Sequence, residues 1–231
     1  MIHCQIDGFS SQDSFSDNDK YGAWVVMNDF NKAIINHGSL QQYRVYLSKE
    51  IMEGDTAKTL MRWLYTSEKA AKVELLQFPK LFGLEENLPF IFSADGGWDT
   101  LMYLRANQAA LFPIYKQIHT LSYYSTISNT LVACICSPYP FDRIICSSNS
   151  GMKVLQNILE EIKRDAHDRL GIPINFNAKM AHIPFGVSTE TFQNYGKSTA
   201  RKILELPQEV PIILYVGRFS PFDKMDLAPL L

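Results

Sequence analysis

Short apolar runs alternate with longer amphipathic stretches along this chain, and that alternation constrains the fold more than any composition figure. The runs include YRVYL (Tyr43 to Leu47), PFIFS (Pro89 to Ser93), IYKQIHT (Ile114 to Thr120), RIIC (Arg143 to Cys146), AHIP (Ala181 to Pro184) and PIILYV (Pro211 to Val216). Most are bounded by turn residues and lack the strict in–out alternation of a half-solvated sheet, as expected of strands buried on both faces. Strands of this kind, separated by helices, specify a parallel sheet with helices on either side. Ligands of such sheets bind beyond the carboxyl ends of the strands. The residues just after each strand are therefore the ones to read for function.

The connecting stretches fill in an α/β, Rossmann-like, doubly wound parallel sheet. A short first strand over Ile2 to Ile6 leads through the polar loop SSQDSFSDNDK into a helix from Gly22 to about Asn36, which His37-Gly38 ends. Val25, Val26, Phe30, Ala33 and Ile34 fall near its 3.6 period. Thr56 to Leu76 is mostly helical in pattern, and Thr100 to Phe112 is a helix that stops before Pro113. Thr126 to Cys136 is helical or buried. Ser148 caps a long helix with apolar Val154, Leu155, Ile158, Leu159 and Ile162.

Composition narrows the partners. Hydrophobic residues make up 46% and charged residues 20% of the 231, ordinary for a soluble globular protein, and the net charge of -2 gives no basic footprint for nucleic acid. The four cysteines have no zinc spacing and no Cys-x-x-Cys pair, and LVACIC reads as reduced, packed thiols. No metal site is expected. Without a signal-peptide pattern or a membrane-length apolar run, the expected location is the cytoplasm, and a surface patch would suffice for peripheral membrane association.

Several residues beyond strand ends could carry chemistry. Gly22 opens the first helix, where it either eases entry or bares the backbone to an anion or hydroxyl; there is no Gly-x-Gly-x-x-Gly fingerprint. His119 ends IYKQIH and could share hydroxyl protons with a sugar-like ligand, or simply pack. SADGGWD, with Asp95 and Asp99, is either a cleft loop or an ordinary turn. His37 suits a helix end, and His182 is expected to be packed inside its strand. Directly after PIILYV come Gly217, Arg218 and, six residues on, Lys224. A bare glycine, a planar guanidinium and a compact ammonium suit phosphate oxygens.

Taken together, IPFGVSTETF (Ile183 to Phe192), ARKILELP (Ala200 to Pro207) and PIILYVGRFSPFDKMDL (Pro211 to Leu227) resemble family 4 (group 1) glycosyltransferases. The Gly22 loop, IHT around His119 and DRIICSS extend the resemblance more loosely. It implies the GT-B architecture, two Rossmann-like domains facing across a cleft, with a retaining transfer and no catalytic metal or other cofactor. A nucleotide-sugar is then the donor co-substrate, and a saccharide or other hydroxyl compound the acceptor. By the same resemblance Arg218 and Lys224 match the donor-diphosphate pair beside Gly217, His119 matches a histidine near the transferred sugar, and Gly22 matches the glycine-rich loop that approaches donor and acceptor. Asp95, in the cleft-loop reading of SADGGWD, is grouped with Gly22 as an acceptor or donor loop residue. Ser188 stands where the family usually has aspartate, and Met225 where it has glycine. Residues 1–209 would form the acceptor-side domain and residues 210–231 the opening of the donor domain. The family's two-glutamate motif cannot fit in the seven residues after Lys224, so the chain alone is expected to be inactive.

Two other readings stay open on the residues. One is a stand-alone Rossmann-like module that binds a glycan or partner without catalysis. The other is a different GT-B-type enzyme, such as an epimerase or phosphorylase. PIILYV, with no sheet of its own, is expected to dock or associate, giving either a dimer through an exposed strand or a disordered tail.

Overall fold

The computed structural model describes residues 3–7, 22–40, 42–47, 53, 58, 73–77, 90–92, 98–108, 111–187, 189 and 194–216. The chain divides after Gly186 into two units, Met1–Gly186 and Val187–Leu231.

The first unit holds a seven-stranded sheet. Its strands are β1 (His3–Asp7), β2 (Gln42–Leu47), β3 (Val73–Gln77), β4 (Phe90–Phe92), β5 (Ile114–Ile118), β6 (Arg143–Cys146) and β7 (Lys179–His182). They lie in the order β3-β2-β1-β4-β5-β6-β7, and every neighbouring pair is parallel. The order runs outward in one direction from β1 and in the other from β4, so the sheet reverses between them. Right-handed crossovers then put the helices of the two halves on opposite faces. The described helices of this unit are α1 (Gly22–His37), α2 (Trp98–Gln108), α3 (Tyr124–Ile135) and α4 (Asn149–Leu170). The result is the expected α/β, Rossmann-like, doubly wound sheet.

The core under α2, α3 and α4 follows from the period of two along the strands. Ile114 and Ile118 of β5 and Ile144 and Cys146 of β6 point to one face, where they meet Leu101, Met102, Cys134, Leu155 and Leu159 from the helices. Gln117 and Ile145 point the other way and are buried too, so both faces are covered. At roughly 1.5–3 kcal/mol for each fully buried large aliphatic side chain, this cluster is a large stabilising contribution to the unit. α4 is framed by local signals: Ser148 Oγ accepts from Gly151 N at 3.0 Å, and Gly171 closes the helix at φ 67°. Gly38 ends α1 for a second reason, since a Cβ there would lie 2.2 Å from the Tyr43 hydroxyl.

Four expectations change. The helix read over Thr56 to Leu76 falls mostly outside the described residues, and its last part is a strand. VELLQ forms β3 beside β2, with Glu74 opposite Arg44 and their side chains 3.2 Å apart. In α1 the buried positions step by four through Met27, Asn31 and Ile35, while Ala33 is exposed. Asn31 hides that face from a reading of apolar spacing. Val154 of α4 faces solvent, because Leu155, Leu159, Ile162 and Ala166 set the buried stripe one position on. His182 is exposed rather than packed, because β7 is the sheet's edge.

The second unit contains α5 (Lys197–Ile203) and the turn after it. Arg201 donates from Nη1 to Pro207 O at 3.0 Å and to Gln208 O, and Leu206 N returns to Arg201 O at 2.8 Å. One guanidinium thus closes the loop of ARKILELPQ. Pro211–Val216, read as a strand, has no pairing among the described residues, and Ile213 is 97% exposed. A strand exists only through its ladder, and apolar sequence alone does not supply one.

Candidate functional site

The carboxyl ends of β5, β6 and β7 bring together the residues most able to meet a ligand. His119 follows β5 directly and is half-buried. Ile183 N donates to Cys146 O at 3.0 Å, which carries the β6–β7 pairing one residue past β7. Pro184 then ends the ladder, because it has no N–H to give. Phe185 follows, and its ring stacks on the His119 imidazole with centroids 5.6 Å apart and planes 21° from parallel. The stack reaches across β6, where Ser147 and Ser148 lead into α4. Thr120 and Ser122 hydroxyls lie 3.1 Å apart on the loop after His119. The rim therefore presents an imidazole, an aromatic ring and hydroxyls. This combination suits a polyhydroxylated ring, with one apolar face to stack and hydroxyls to bond.

A separate small cavity lies between the end of β5 and α3, lined by Lys116, Thr120, Thr126, Asn129 and Thr130 among others. Lys116 is only 3% exposed there. The space accommodates about one water, too little for a sugar ring. Thr130 Oγ1 already donates to Thr126 O at 2.6 Å.

The buried and half-buried thiols of this unit are quiet. Cys134 is pushed up to about 11 by burial, with the Lys163 charge opposing. Burial also raises Cys136 and Cys146, the Asp99 charge adding to Cys136 and Arg105 opposing. Thiols held protonated in this way are poor nucleophiles near neutral pH. Among the described residues no group of three His, Cys, Asp or Glu side chains could hold a metal ion. Nor, among them, is any helix long and apolar enough to cross a membrane.

Of the residues singled out by sequence, His119 lies on this rim and Gly22 is the first residue of α1. Asp95, Gly217, Arg218 and Lys224 lie outside the described residues. Sequence reasoning misses Phe185 as a site residue, although it stands within IPFGVSTETF. The available signal is its place just past the end of a strand, after a proline that stops the ladder.

No family model matches the chain, and no solved structure matches it. Over 110 residues it is 24% identical to a D-inositol 3-phosphate glycosyltransferase of Streptosporangium roseum, a match covering 48% of this chain and 25% of that relative. The chain is thus similar to a glycosyltransferase over about half its own length, and that half spans only a quarter of the relative.

Proposed function

We propose that this chain is the acceptor-side part of a retaining glycosyltransferase of GT-B architecture, which moves a sugar from a nucleotide-sugar to a hydroxyl acceptor without a metal. The observation that carries the reading is His119, held at the carboxyl end of β5 against Phe185. Similarity to a glycosyltransferase supports it. In this reading residues 1–209 serve the acceptor and residues 210–231 open the donor side. Gly217, Arg218 and Lys224 neutralise the diphosphate as charge develops on the leaving group. Gly22 and Asp95 belong to loops toward the two substrates, and His119 orients the hydroxyls of the sugar or takes a proton from one. The relative's acceptor name makes phosphorylated cyclitols the first acceptors to test.

The experiment uses the 231-residue chain with two sets of probes. Calorimetry with a panel of saccharides and inositol phosphates is expected to give binding that His119→Ala weakens. Labelled nucleotide-sugars are expected to remain unconsumed. No binding to any member of the panel sinks the acceptor assignment; consumption of a nucleotide-sugar sinks the claim that the chain alone is inactive.

A further inference from the structure

We infer that the outer face of α3 is the contact surface of a two-fold dimer of this chain. α3 (YSTISNTLVACI) contains no charged residue over its twelve positions. Its inner face is spent in the core through Thr130, Ala133 and Cys134. Yet the outer face is apolar as well. Tyr124, Ile127, Leu131 and Ile135 recur at helical spacing and are all exposed, Tyr124 at 87% and Ile135 at 68%, with exposed Tyr123 just before them. Ser125 and Ser128 are the exposed polar residues beside this stripe, and an exposed apolar stripe of this kind marks an interaction surface. α4 does not share the pattern: it meets solvent with ion pairs such as Glu160–Lys163 and Asp165–Arg169.

The Ser128 hydroxyl inside the stripe is prepared for desolvation. Ser128 Oγ donates to Ser125 O at 3.0 Å, so its proton already has a partner on its own helix and burying it strands no donor. The area is of the right order. At roughly 200 Å² for a whole tyrosine side chain, Tyr123 and Tyr124 offer about 300 Å². The three aliphatic residues bring the stripe to roughly 500 Å², the upper range of apolar patches on monomers and the centre of an interface that takes about 800 Å² per partner.

A second copy is the occupant that the charge pattern fits. In a two-fold contact each surface meets itself, and a stripe without charge has nothing to repel its own image. An interfacial membrane helix instead carries Lys or Arg on its polar side, and α3 has neither. Ser128 lies near the middle of the stripe, so two copies crossing there would bring Ser128 close to its counterpart.

The test is sedimentation velocity of the 231-residue chain across about 1–100 µM. A reversible dimer is expected, with Ile127→Glu and Ile135→Glu each raising its dissociation constant at least about tenfold. Both positions are exposed, so unchanged circular dichroism and melting will certify the fold. Ser128→Cys should give a disulfide-linked dimer under mild oxidation that the parent chain does not form. Ile213→Asp, on the exposed segment of the second unit, should leave the dimer intact. A monomer throughout the range overturns the inference. So does a dimer insensitive to Ile127→Glu and Ile135→Glu, or one that Ile213→Asp abolishes. Binding of the monomer to neutral phospholipid vesicles, lost in Ile127→Glu, would reassign the stripe to a membrane and overturn it as well.

Discussion

The two ends of β5 and β6 are built on opposite principles. At their amino ends Asp142 is 1% exposed and saturated: Arg105 donates to Oδ1 at 2.7 Å and to Oδ2 at 2.6 Å, Ile114 N donates to Oδ1 and Tyr139 N to Oδ2, each at 2.8 Å. Arg105 also bonds Phe112 O at 2.7 Å, and its guanidinium lies 4.7 Å from the Tyr139 ring centroid. At their carboxyl ends His119, Phe185 and several hydroxyls stand half-open. A buried charge is tolerable only when its lone pairs and protons are matched. The amino edge meets that condition and locks α2 onto the starts of both strands. The carboxyl edge instead carries an imidazole, a ring and hydroxyls at partly exposed positions. The same strands thus carry a saturated ion pair at one end and, in the proposed function, the recognition of the acceptor at the other.

The sharpest way to break that division is Asp142→Ala. It leaves Arg105 buried and charged with no carboxylate, and the expected cost is about 3–5 kcal/mol in denaturant unfolding. A double replacement, Arg105→Met with Asp142→Leu, removes both charges and should recover much of the loss. If Asp142→Ala costs under about 1 kcal/mol, the clamp is not the lock described here.

The next effect belongs to the other edge. His119→Ala should weaken saccharide binding by about 1–3 kcal/mol, the cost of losing a hydrogen bond to a buried ligand group, while the melting temperature stays nearly constant. Equal losses of stability and binding would make His119 a packing residue and remove the contrast between the ends.

Between the edges, the core offers a pH test. Burial raises Cys134 to about 11 and raises Cys146, whereas unfolded thiols keep their ordinary value of 9.0. Folding therefore retains protons that the unfolded chain releases. Stability is fully present below about pH 9 and falls as pH rises through about 11. Denaturant midpoints at pH 7, 9 and 11 would show it, with Cys134→Ala flattening the decline. An unchanged slope in that variant would mean that other groups cause the loss.

How much of this could be read from sequence depends on how local each feature is. RIIC and the Ser148 cap are legible because the strand, the hydroxyl and the amide it meets lie within a few residues. For the cap, Ser148→Ala should cost about 1 kcal/mol. VELLQ is ambiguous because five residues with one charge fit either period, and Glu74 finds its partners, Arg44 and Gln42, on a neighbouring strand. The Arg105–Asp142 clamp joins positions 37 apart and leaves no spacing signal. PIILYV misleads in the other direction, since strand-like composition does not create a ladder. At the rim, His119 is visible as the end of a strand. Phe185 is not, because its partner is set by the order β5-β6-β7, which only the assembled sheet supplies.

Phe185 also provides the smallest effect and the finest test of the carboxyl edge. A stacked ring pair contributes about 0.5–1.5 kcal/mol beyond its buried area. Phe185→Ala should therefore weaken saccharide binding less than His119→Ala does, with little change in stability. A positioning role has a signature that mere packing lacks. The ring current of Phe185 falls on the His119 imidazole, so the His119 ring-proton resonances should move when the ring is removed. Phe185→Tyr should restore both the shift and the binding, and Phe185→Leu, which fills space without a ring current, should restore neither. Binding recovered by leucine would show that Phe185 only occupies volume, and the rim would then owe its recognition to His119 and the hydroxyls alone.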